Sequence, residues 1–386
     1  MSRRMIILVI ALFLFLVLPG PPAECYGERL PRVVWQATEI GKLTYGLQLG
    51  PNGLYYALSG DKLTVVDENG HKLWENNLPD GNKSGCPVFD SRGSIFIPGS
   101  ALIQEVKLNG GKGWNFKIYQ GNSKTAALLT TGPGGLLYLH LPSGLYAVDT
   151  AGHYKWMVMQ WEQGASDSTK MKLDWEILAC AGSDQVVFVI LGKKKEGFTL
   201  MALSEEGKIY WRYSLGKIKG ANLVTGKDGR IYVTVNPAKI DEMSKGKVYA
   251  FDSKGDGSPL WSYHLSYDDL TAPTPSEHDL VYFCAGERLY AVNKNNGTEA
   301  WHQPLYKAIS RPSVDESSKR VYLGTEDKRL LAVTQQGRLD WELTLDDKVS
   351  MQPMVGPGGY LYVVTDAGSI YKIEDIPLGS DEAEDE

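Results

Sequence analysis

One pattern of hydrophobic and polar positions recurs along most of the chain. A clear copy begins with Gly144-Leu145-Tyr146-Ala147-Val148-Asp149, continues through a short turn that contains Gly152, and ends at Trp156. Alternating apolar and polar side chains predict β-strands, and a glycine between two such runs predicts a tight turn. Each copy therefore predicts a β-hairpin whose glycine adopts the left-handed conformation.

In seven copies a glycine precedes a closing tryptophan by four residues; these tryptophans are Trp74, Trp114, Trp156, Trp211, Trp261, Trp301 and Trp341. An eighth unit has strand patterns at 359–362 and 370–373 but no Gly–Trp strand after them. Conversely, the strand pattern around Trp35 has no unit before it. The two irregular ends are complementary, so we expect the strand around Trp35 to complete the last unit.

Four strands in each unit of about forty residues are typical of a β-propeller blade. The predicted fold is all-β: an eight-bladed β-propeller of four-stranded antiparallel blades over residues 28–376, closed by the N-terminal strand. This closure removes the open sheet edges that a broken ring would expose. An open β-solenoid is the alternative, but it requires atypical capping units at its ends. We expect each closing tryptophan to pack between neighbouring blades.

The first 27 residues have the character of a secretory signal. Arg3 and Arg4 precede the apolar run 6–18, and small residues follow it. The run is short for crossing roughly 30 Å of hydrocarbon, which disfavours the alternative of a retained membrane anchor. A lipoprotein is a third possibility because Cys25 follows the apolar run, although Glu24 departs from the usual lipid-attachment box. We expect a secreted or extracytoplasmic protein, associated with the cell envelope.

Charge excludes some classes of partner. The net charge is -6 and the isoelectric point is near 5.7, which disfavours nonspecific nucleic-acid binding. Part of the excess lies in the acidic C-terminal segment 377–386, which we expect to be disordered. After signal removal no further segment predicts a membrane span, and we expect a monomer.

No catalytic or metal-binding constellation stands out in the sequence. The six histidines are scattered without metal-ligand spacing. Cys86, Cys180 and Cys284 fall in different units without a CxxC motif, so buried free thiols are the favoured interpretation. The GxSxG, Walker and HExxH motifs are also absent. We therefore predict no catalytic, cofactor-binding or metal-binding residue, no cofactor and no enzyme activity.

The Gly-x-Leu-Tyr, Leu-Tyr-Ala-Val-Asp and Gly-x-x-x-Trp elements resemble the pyrroloquinoline-quinone-like repeat family, and residues 33–374 carry the resemblance. Within that family the chain looks like the secreted non-enzymatic propellers, including the propeller lipoprotein of the outer-membrane β-barrel assembly machinery. That resemblance implies a scaffold that binds protein partners. The enzyme branch of the family would imply adjacent cysteines over a quinone, and this chain has none.

Three functions follow in order of preference. The first is a binding scaffold for protein partners, the second is binding of carbohydrate or another cell-envelope polymer, and the third is a quinone-dependent dehydrogenase. Retention on cell-wall material would favour the second, and calcium- and quinone-dependent dye reduction would favour the third.

Unit length indicates where a partner binds, because the two units between Trp156 and Trp261 are longer than the others. The extra residues form three connections predicted to emerge on one side of the ring, and loops on a rigid scaffold often carry function. The predicted partner-binding residues in this sector are Trp161, Trp175, Lys193, Lys194, Lys195, Lys239 and Lys245. The alternative is that the lysines only keep the loops soluble and that Trp175 belongs to a core strand. Arg311, expected to line the central channel, is a separate candidate for meeting an anionic ligand.

Overall fold

The computed structural model describes residues 23–25, 29–38, 40–43, 46–78, 86–90, 93–99, 102–117, 128–141, 144–159, 176–183, 186–238 and 245–377. These stretches form β-strands in eight sheets, together with two single-turn 3₁₀ helices at Pro133–Gly135 and Pro357–Gly359. Across these stretches no helix has the length and apolar character needed to span a membrane.

Two strands precede the first blade, and four strands then follow in chain order in each of blades one to four. Strand β1 is Ala23–Cys25 and β2 is Arg29–Ala37. Blade one contains β3 Gln48–Leu49, β4 Tyr55–Ser59, β5 Lys62–Val66 and β6 Lys72–Asn77. Blade two contains β7 Val88–Phe89, β8 Ile95–Pro98, β9 Leu102–Val106 and β10 Lys112–Lys117. Blade three contains β11 Leu128–Thr131, β12 Leu137–Leu141, β13 Gly144–Val148 and β14 Tyr154–Met159. Blade four contains β15 Glu176–Gly182, β16 Val187–Lys193, β17 Gly197–Leu203 and β18 Ile209–Gly216.

The second half of the ring repeats this order until the last blade. Blade five contains β19 Ile218–Thr225, β20 Arg230–Pro237, β21 Gly246–Asp252 and β22 Pro259–Leu265. Blade six contains β23 Thr274–Pro275, β24 Leu280–Ala285, β25 Arg288–Asn293 and β26 Glu299–Pro304. Blade seven contains β27 Ser313–Asp315, β28 Arg320–Gly324, β29 Arg329–Thr334 and β30 Leu339–Thr344. Blade eight contains β31 Met354–Val355, β32 Leu361–Val364 and β33 Ile370–Pro377.

The N-terminal strand β2 supplies the fourth strand of blade eight, which confirms the predicted closure. Its sheet has the order β31, β32, β33, β2, and β2 pairs antiparallel to β33 from Arg29 opposite Pro377 to Ala37 opposite Ile370. The first and last parts of the chain are therefore joined by backbone hydrogen bonds. The all-β, eight-bladed architecture predicted from the repeats is also confirmed.

Strand β1 was not predicted and gives blade seven a fifth strand. Cys25 lies opposite Trp341 and Ala23 lies opposite Leu343, so β1 pairs antiparallel with the outer strand β30. A segment of three residues has no alternation that sequence reasoning can detect. It falls inside the segment predicted to be a secretory signal, and that assignment stays a prediction.

The core lies between the blades. The second and third strands of each blade are buried on both faces, as in β24, where five of the six residues are buried. Both faces are covered because each sheet stacks against its two neighbours around the ring. The fourth strands alternate instead between buried and exposed residues, as in β22, because they form the outer rim.

A β-bulge lies immediately before most of the closing tryptophans. Ala291 pairs with Trp301, whereas the next residue, Val292, pairs with Glu299, so one extra residue is accommodated in the fourth strand. The same register shift occurs in blade eight between Val33 and Trp35. A bulge re-aims the side chains that follow it. The shift places each tryptophan ring towards the next blade.

Trp35 and six of the seven closing tryptophans each contact a glycine of the following blade. The pairs are Trp35 with Gly70, Trp74 with Gly110, Trp114 with Gly152, Trp156 with Gly207, Trp211 with Gly257, Trp261 with Gly297, and Trp301 with Gly337. In six of these pairs the indole nitrogen also donates to a backbone carbonyl of the same turn, as Trp301 does to Gln335 at 2.9 Å. All seven glycines have positive φ, which confirms their predicted left-handed conformation.

The contact from blade seven to blade eight differs, because blade eight has no Gly–Trp turn. The Trp341 indole nitrogen instead donates to the Asp375 carboxylate at 3.0 Å. Asp375 also accepts a hydrogen bond from the Tyr322 hydroxyl and forms an ion pair with Arg29 at 3.0 Å. Burial beside this carboxylate raises the pKa of Tyr322 above its ordinary value. One buried acid thus joins blade seven to the closing strand.

We expect Gly297→Ala to destabilise the fold more than Gly53→Ala. Both glycines have φ between +70° and +76°, but an added Cβ at Gly297 would lie 2.5 Å from the Trp261 ring, whereas at Gly53 it would meet nothing within 4 Å. Gly53→Ala should therefore cost only the left-handed conformation, about 1 kcal/mol. Overlap with the ring should add about 1–3 kcal/mol at Gly297. Chemical denaturation measures both free energies of unfolding, and equal losses would contradict the packing role.

We expect Asp375→Ala to lower the free energy of unfolding by about 3–5 kcal/mol, because it leaves the Arg29 cation without its buried partner. The exposed turn residue Asp256 is the matched control, and Asp256→Ala should change stability little. The measurement is urea denaturation followed by tryptophan fluorescence. If the two substitutions have the same effect, the carboxylate does not stabilise the closure.

Candidate partner-binding surface

The two ends of the ring carry different kinds of connection. Because neighbouring strands are antiparallel, successive connections leave a blade from opposite ends. One end, the turn face, carries the first-to-second and third-to-fourth connections, including the seven glycine turns. The other end, the loop face, carries the second-to-third connections and the links between blades. The lysine-bearing connections 194–196 and 238–245 are both of the second-to-third type.

The structure describes five of the eight predicted site residues. Trp161, Trp175 and Lys239 lie outside the described residues. Lys193, Lys194 and Lys195 end β16 and form its turn into β17, and Lys245 immediately precedes β21. These four lysines are on the loop face of blades four and five. Arg311 is next to the first strand of blade seven, so it belongs to a different region.

A tight turn presents the first lysine cluster. The Glu196 amide donates to the Lys193 carbonyl at 3.1 Å, and the Lys193 ammonium lies 3.2 Å from the Glu196 carboxylate. Lys194 and Lys195 are exposed at the tip. Because β16 and β17 pair without a register shift from Val187 to Lys193, the turn is held by a continuous ladder. The lysines therefore project from a rigid base.

The second lysine cluster surrounds His264. Lys247 in β21 lies directly opposite His264 in β22. Lys245, which is exposed, precedes Lys247 by two residues. Burial, followed by the charges of Lys247 and Lys245, lowers the pKa of His264 below its ordinary value. A positive potential at this position has that effect because it disfavours a further positive charge.

Sequence reasoning missed two further lysines on this face. Lys217 and Lys219 lie at the link between β18 and β19, and the Lys219 ammonium is 2.7 Å from the Asp268 carboxylate. Asp268 belongs to the link between blades five and six, so this ion pair joins neighbouring links. The link from blade four to blade five is the single residue Lys217, so no inserted length marks it, and inserted length was the signal that pointed to the other lysines.

Part of the loop face in this sector is rich in lysine. Residues 191–197, 215–219 and 245–248 contain seven lysines and one acidic residue, Glu196, while acids of the same sector, Asp241, Glu242, Asp268 and Asp269, lie in the adjoining connections. Ion pairs occur both here, as between Lys219 and Asp268 at 2.7 Å, and in blades seven and eight, as between Lys328 and Asp347 at 3.7 Å. Clustered surface charges attract a partner of opposite charge. We call the loop face of blades four and five the lysine surface.

Arg311 lies at a cavity formed by blades five, six and seven. The cavity opens on the turn face and has a volume of about 630 Å³. Its lining includes Lys227, Glu277 and Glu316. The Arg311 guanidinium donates to the Thr274 hydroxyl at 3.0 Å and to the Pro273 carbonyl at 2.9 Å. Burial lowers the pKa of Arg311 to about 10.

Another cavity adjoins the one at Arg311. This second cavity, of about 610 Å³, is lined by first-strand and link residues of blades one, six, seven and eight, among them Gln48, Met351 and Gln352. Thr274 and Val314 line both cavities. The wall of this second cavity therefore mixes amide, hydroxyl and thioether groups.

Two cysteine side chains are described, and both are free thiols. Burial raises the pKa of Cys284 to about 12 and that of Cys86 to about 11, so both remain protonated near neutral pH. The part of the chain that the structure describes contains no group of three or more His, Cys, Asp or Glu side chains placed to hold a metal ion.

These observations define an eight-bladed β-propeller with tryptophan-on-glycine contacts between blades and a lysine surface on one face. The family model described as the outer membrane protein assembly factor BamB matches residues 144–376. That match covers more than half of the chain, and the chain belongs to this family. Curated protein sequences give no match to the chain.

Two solved structures share the fold. BamB from Moraxella catarrhalis is similar with a TM-score of 0.63 and 15% sequence identity, over 89% of this chain and 98% of that one. A structure described as the Dos1 propeller has a TM-score of 0.67 and 10% identity, over 89% of this chain and 95% of that one. At these identities the similarity establishes the architecture alone.

We expect Lys247→Gln to raise the pKa of His264 towards its ordinary value, because the substitution removes the larger of the two charge effects. The measurement is an NMR titration of the imidazole C2 proton. Lys254→Gln, which removes a charge from the turn face, should leave the His264 pKa unchanged. An unchanged pKa in Lys247→Gln would contradict the positive potential assigned to the lysine surface.

The lowered pKa also predicts a pH dependence of stability. His264 binds its proton more weakly in the folded protein than in the unfolded chain. The free energy of unfolding is therefore unaffected by His264 above about pH 6.5, and it falls as the pH drops from there through the lowered pKa of the folded protein. Lys247→Gln should reduce this acid-dependent loss.

Proposed function

We propose that this chain is an extracytoplasmic scaffold that binds a protein partner at the cell envelope, and that it performs no catalysis. The lysine surface is the observation that carries the proposal, because it gathers seven lysines in one sector of the ring. Family membership supports it, since the family's description is that of an assembly factor.

The geometry suits recognition of an acidic protein surface. The lysines stand on two neighbouring blades, and ion pairs such as Lys219 with Asp268 tie their links together. A rigid base limits the conformational entropy that binding removes. Exposed lysine charges steer an acidic partner and orient it, and they act less at high salt.

Exposed aromatic surface on the same face offers a place for apolar contacts. Tyr306, in the link between blades six and seven, is 63% exposed, and Ile309 is 36% exposed. Tyrosine is enriched among the residues that contribute most to binding at interfaces. We place the electrostatic part of the interface on the lysine surface and extend it towards this link.

The proposal is tested by affinity capture from the native cell envelope with the full chain as bait. A variant with Lys194→Ser, Lys195→Ser and Lys245→Ser should lose the specific protein partner that the unmodified chain captures. The control variant carries Lys208→Ser, Lys227→Ser and Lys254→Ser, which remove the same charge from the turn face of blades four and five. It should capture the partner normally.

Salt gives an independent readout, since capture by the unmodified chain should weaken between low and high ionic strength. Equal capture by both variants would refute the lysine surface as the binding site. Retention of envelope polysaccharide in place of protein would refute the protein scaffold and favour the polymer-binding alternative.

A further inference from the structure

We propose that the turn-face cavity between blades five, six and seven binds a small carboxylate-bearing ligand through Arg311. This site is separate from the lysine surface, and its test does not depend on the proposed scaffold function. The inference comes from the distribution of charge among the residues that line the cavity.

Each acidic residue of the cavity already has a partner. Lys227 lies 2.5 Å from Glu277, and Lys294 lies 3.7 Å from Asp228, which also accepts a hydrogen bond from the Tyr232 hydroxyl. Glu316 accepts hydrogen bonds from the Glu277 amide and the Gln335 side chain, at 2.6 and 3.3 Å.

Arg311 differs from the other two cations because its hydrogen bonds go to neutral oxygens. Its Nε and Nη2 atoms donate to Thr274 and Pro273, and within the described part of the chain no carboxylate lies within 4 Å of the guanidinium. The pKa of Arg311 is lowered by burial alone, with no opposing effect from an acid. Arg311 is half-buried, and a partly desolvated cation without a contacting anion is unfavourable, so an anion in the cavity offsets that cost.

The free donors of Arg311 set the geometry of binding. Two fixed hydrogen bonds hold the guanidinium in place, and they leave both Nη1 protons and one Nη2 proton for a ligand. That edge matches the two oxygens of a carboxylate, which arginine binds through paired hydrogen bonds. The volume of about 630 Å³ is in the range of small-molecule sites.

Charge balance favours a carboxylate over a phosphate. The lining has three cations, Lys227, Lys294 and Arg311, and three acids, Asp228, Glu277 and Glu316, and Arg311 is the cation that contacts none of these acids. A carboxylate brings one further negative charge to this site, whereas a phosphate group carries about -1.5 to -2 near neutral pH. The additional charge of a phosphate would be repelled by Asp228, Glu277 and Glu316.

Thermal unfolding of the full chain tests the site. The probes are sodium propionate, acetyl-Ala-Ala with a free C-terminus, its C-terminal amide, and inorganic phosphate, each compared with sodium chloride at equal ionic strength. Propionate or the free dipeptide should raise the Tm of the unmodified chain, and the amide should not. A rise with propionate indicates a free carboxylic acid as ligand, whereas a rise with the dipeptide alone indicates a peptide C-terminus.

Arg311→Gln should abolish this Tm rise and weaken binding in calorimetric titration by roughly tenfold or more. Without a ligand, Arg311→Gln should melt at the same temperature as the unmodified chain or higher, because it removes a half-buried charge that contacts no carboxylate. A purely structural arginine would instead lower the Tm. Lys254→Gln is the control for net charge and should respond to the probes like the unmodified chain, because Lys254 does not line this cavity.

Any of three results would overturn the proposal. The first is that the carboxylate probes leave the Tm of the unmodified chain unchanged, and the second is that the Tm rise persists in Arg311→Gln. The third is that inorganic phosphate stabilises the chain while the carboxylates do not. Arg311→Lys separates charge from geometry: it keeps the positive charge but not the forked donors, so it should bind the probe more weakly than the unmodified chain and more tightly than Arg311→Gln.

Discussion

The contact between a tryptophan of one blade and a glycine of the next holds the ring together. The glycine has two roles, because its positive φ makes the turn and its missing side chain leaves room for the indole. Trp261 illustrates both, since it lies on Gly297 and donates to the Lys294 carbonyl at 2.8 Å. Buried ring area and a satisfied indole N–H combine in one contact. Repeated around the ring, it fixes the spacing of the blades and therefore the relative positions of both faces.

The exception at blade eight follows from how the ring closes. The chain ends blade eight with a third strand and takes its fourth strand from the N-terminal part, so no hairpin turn is present to receive Trp341. Asp375 takes the place of that turn and binds Trp341, Tyr322 and Arg29 together. Since Arg29 belongs to β2, this network ties the closing strand to blade seven as well as to β33. The closure thus depends on a buried ion pair where the other contacts depend on shape.

The sequence was sufficient to predict the blade number, the closure by the strand around Trp35 and the left-handed glycines, because each leaves a periodic signal. It did not reveal that Gly297 contacts Trp261 of the previous blade, since each glycine also precedes its own tryptophan by four residues. The alternation of connections between antiparallel strands was enough to predict that lysines 193–195 and 245 lie on one face. Lys217 and Lys219 were missed because no insertion marks their short link. The neutral surroundings of Arg311 depend on Thr274, 37 residues away, which no local pattern reports.

The ring has two candidate binding sites, the lysine surface on the loop face and the cavity at Arg311 on the turn face. The central claim is that the lysine surface is where a protein partner binds. Cross-linking of the full chain in its native envelope with a lysine-reactive reagent, followed by mass spectrometry, tests this most directly. The account predicts that a protein partner is joined to Lys194, Lys195 or Lys245. Cross-links to a partner only through the turn-face lysines Lys208, Lys227 or Lys254 would contradict it.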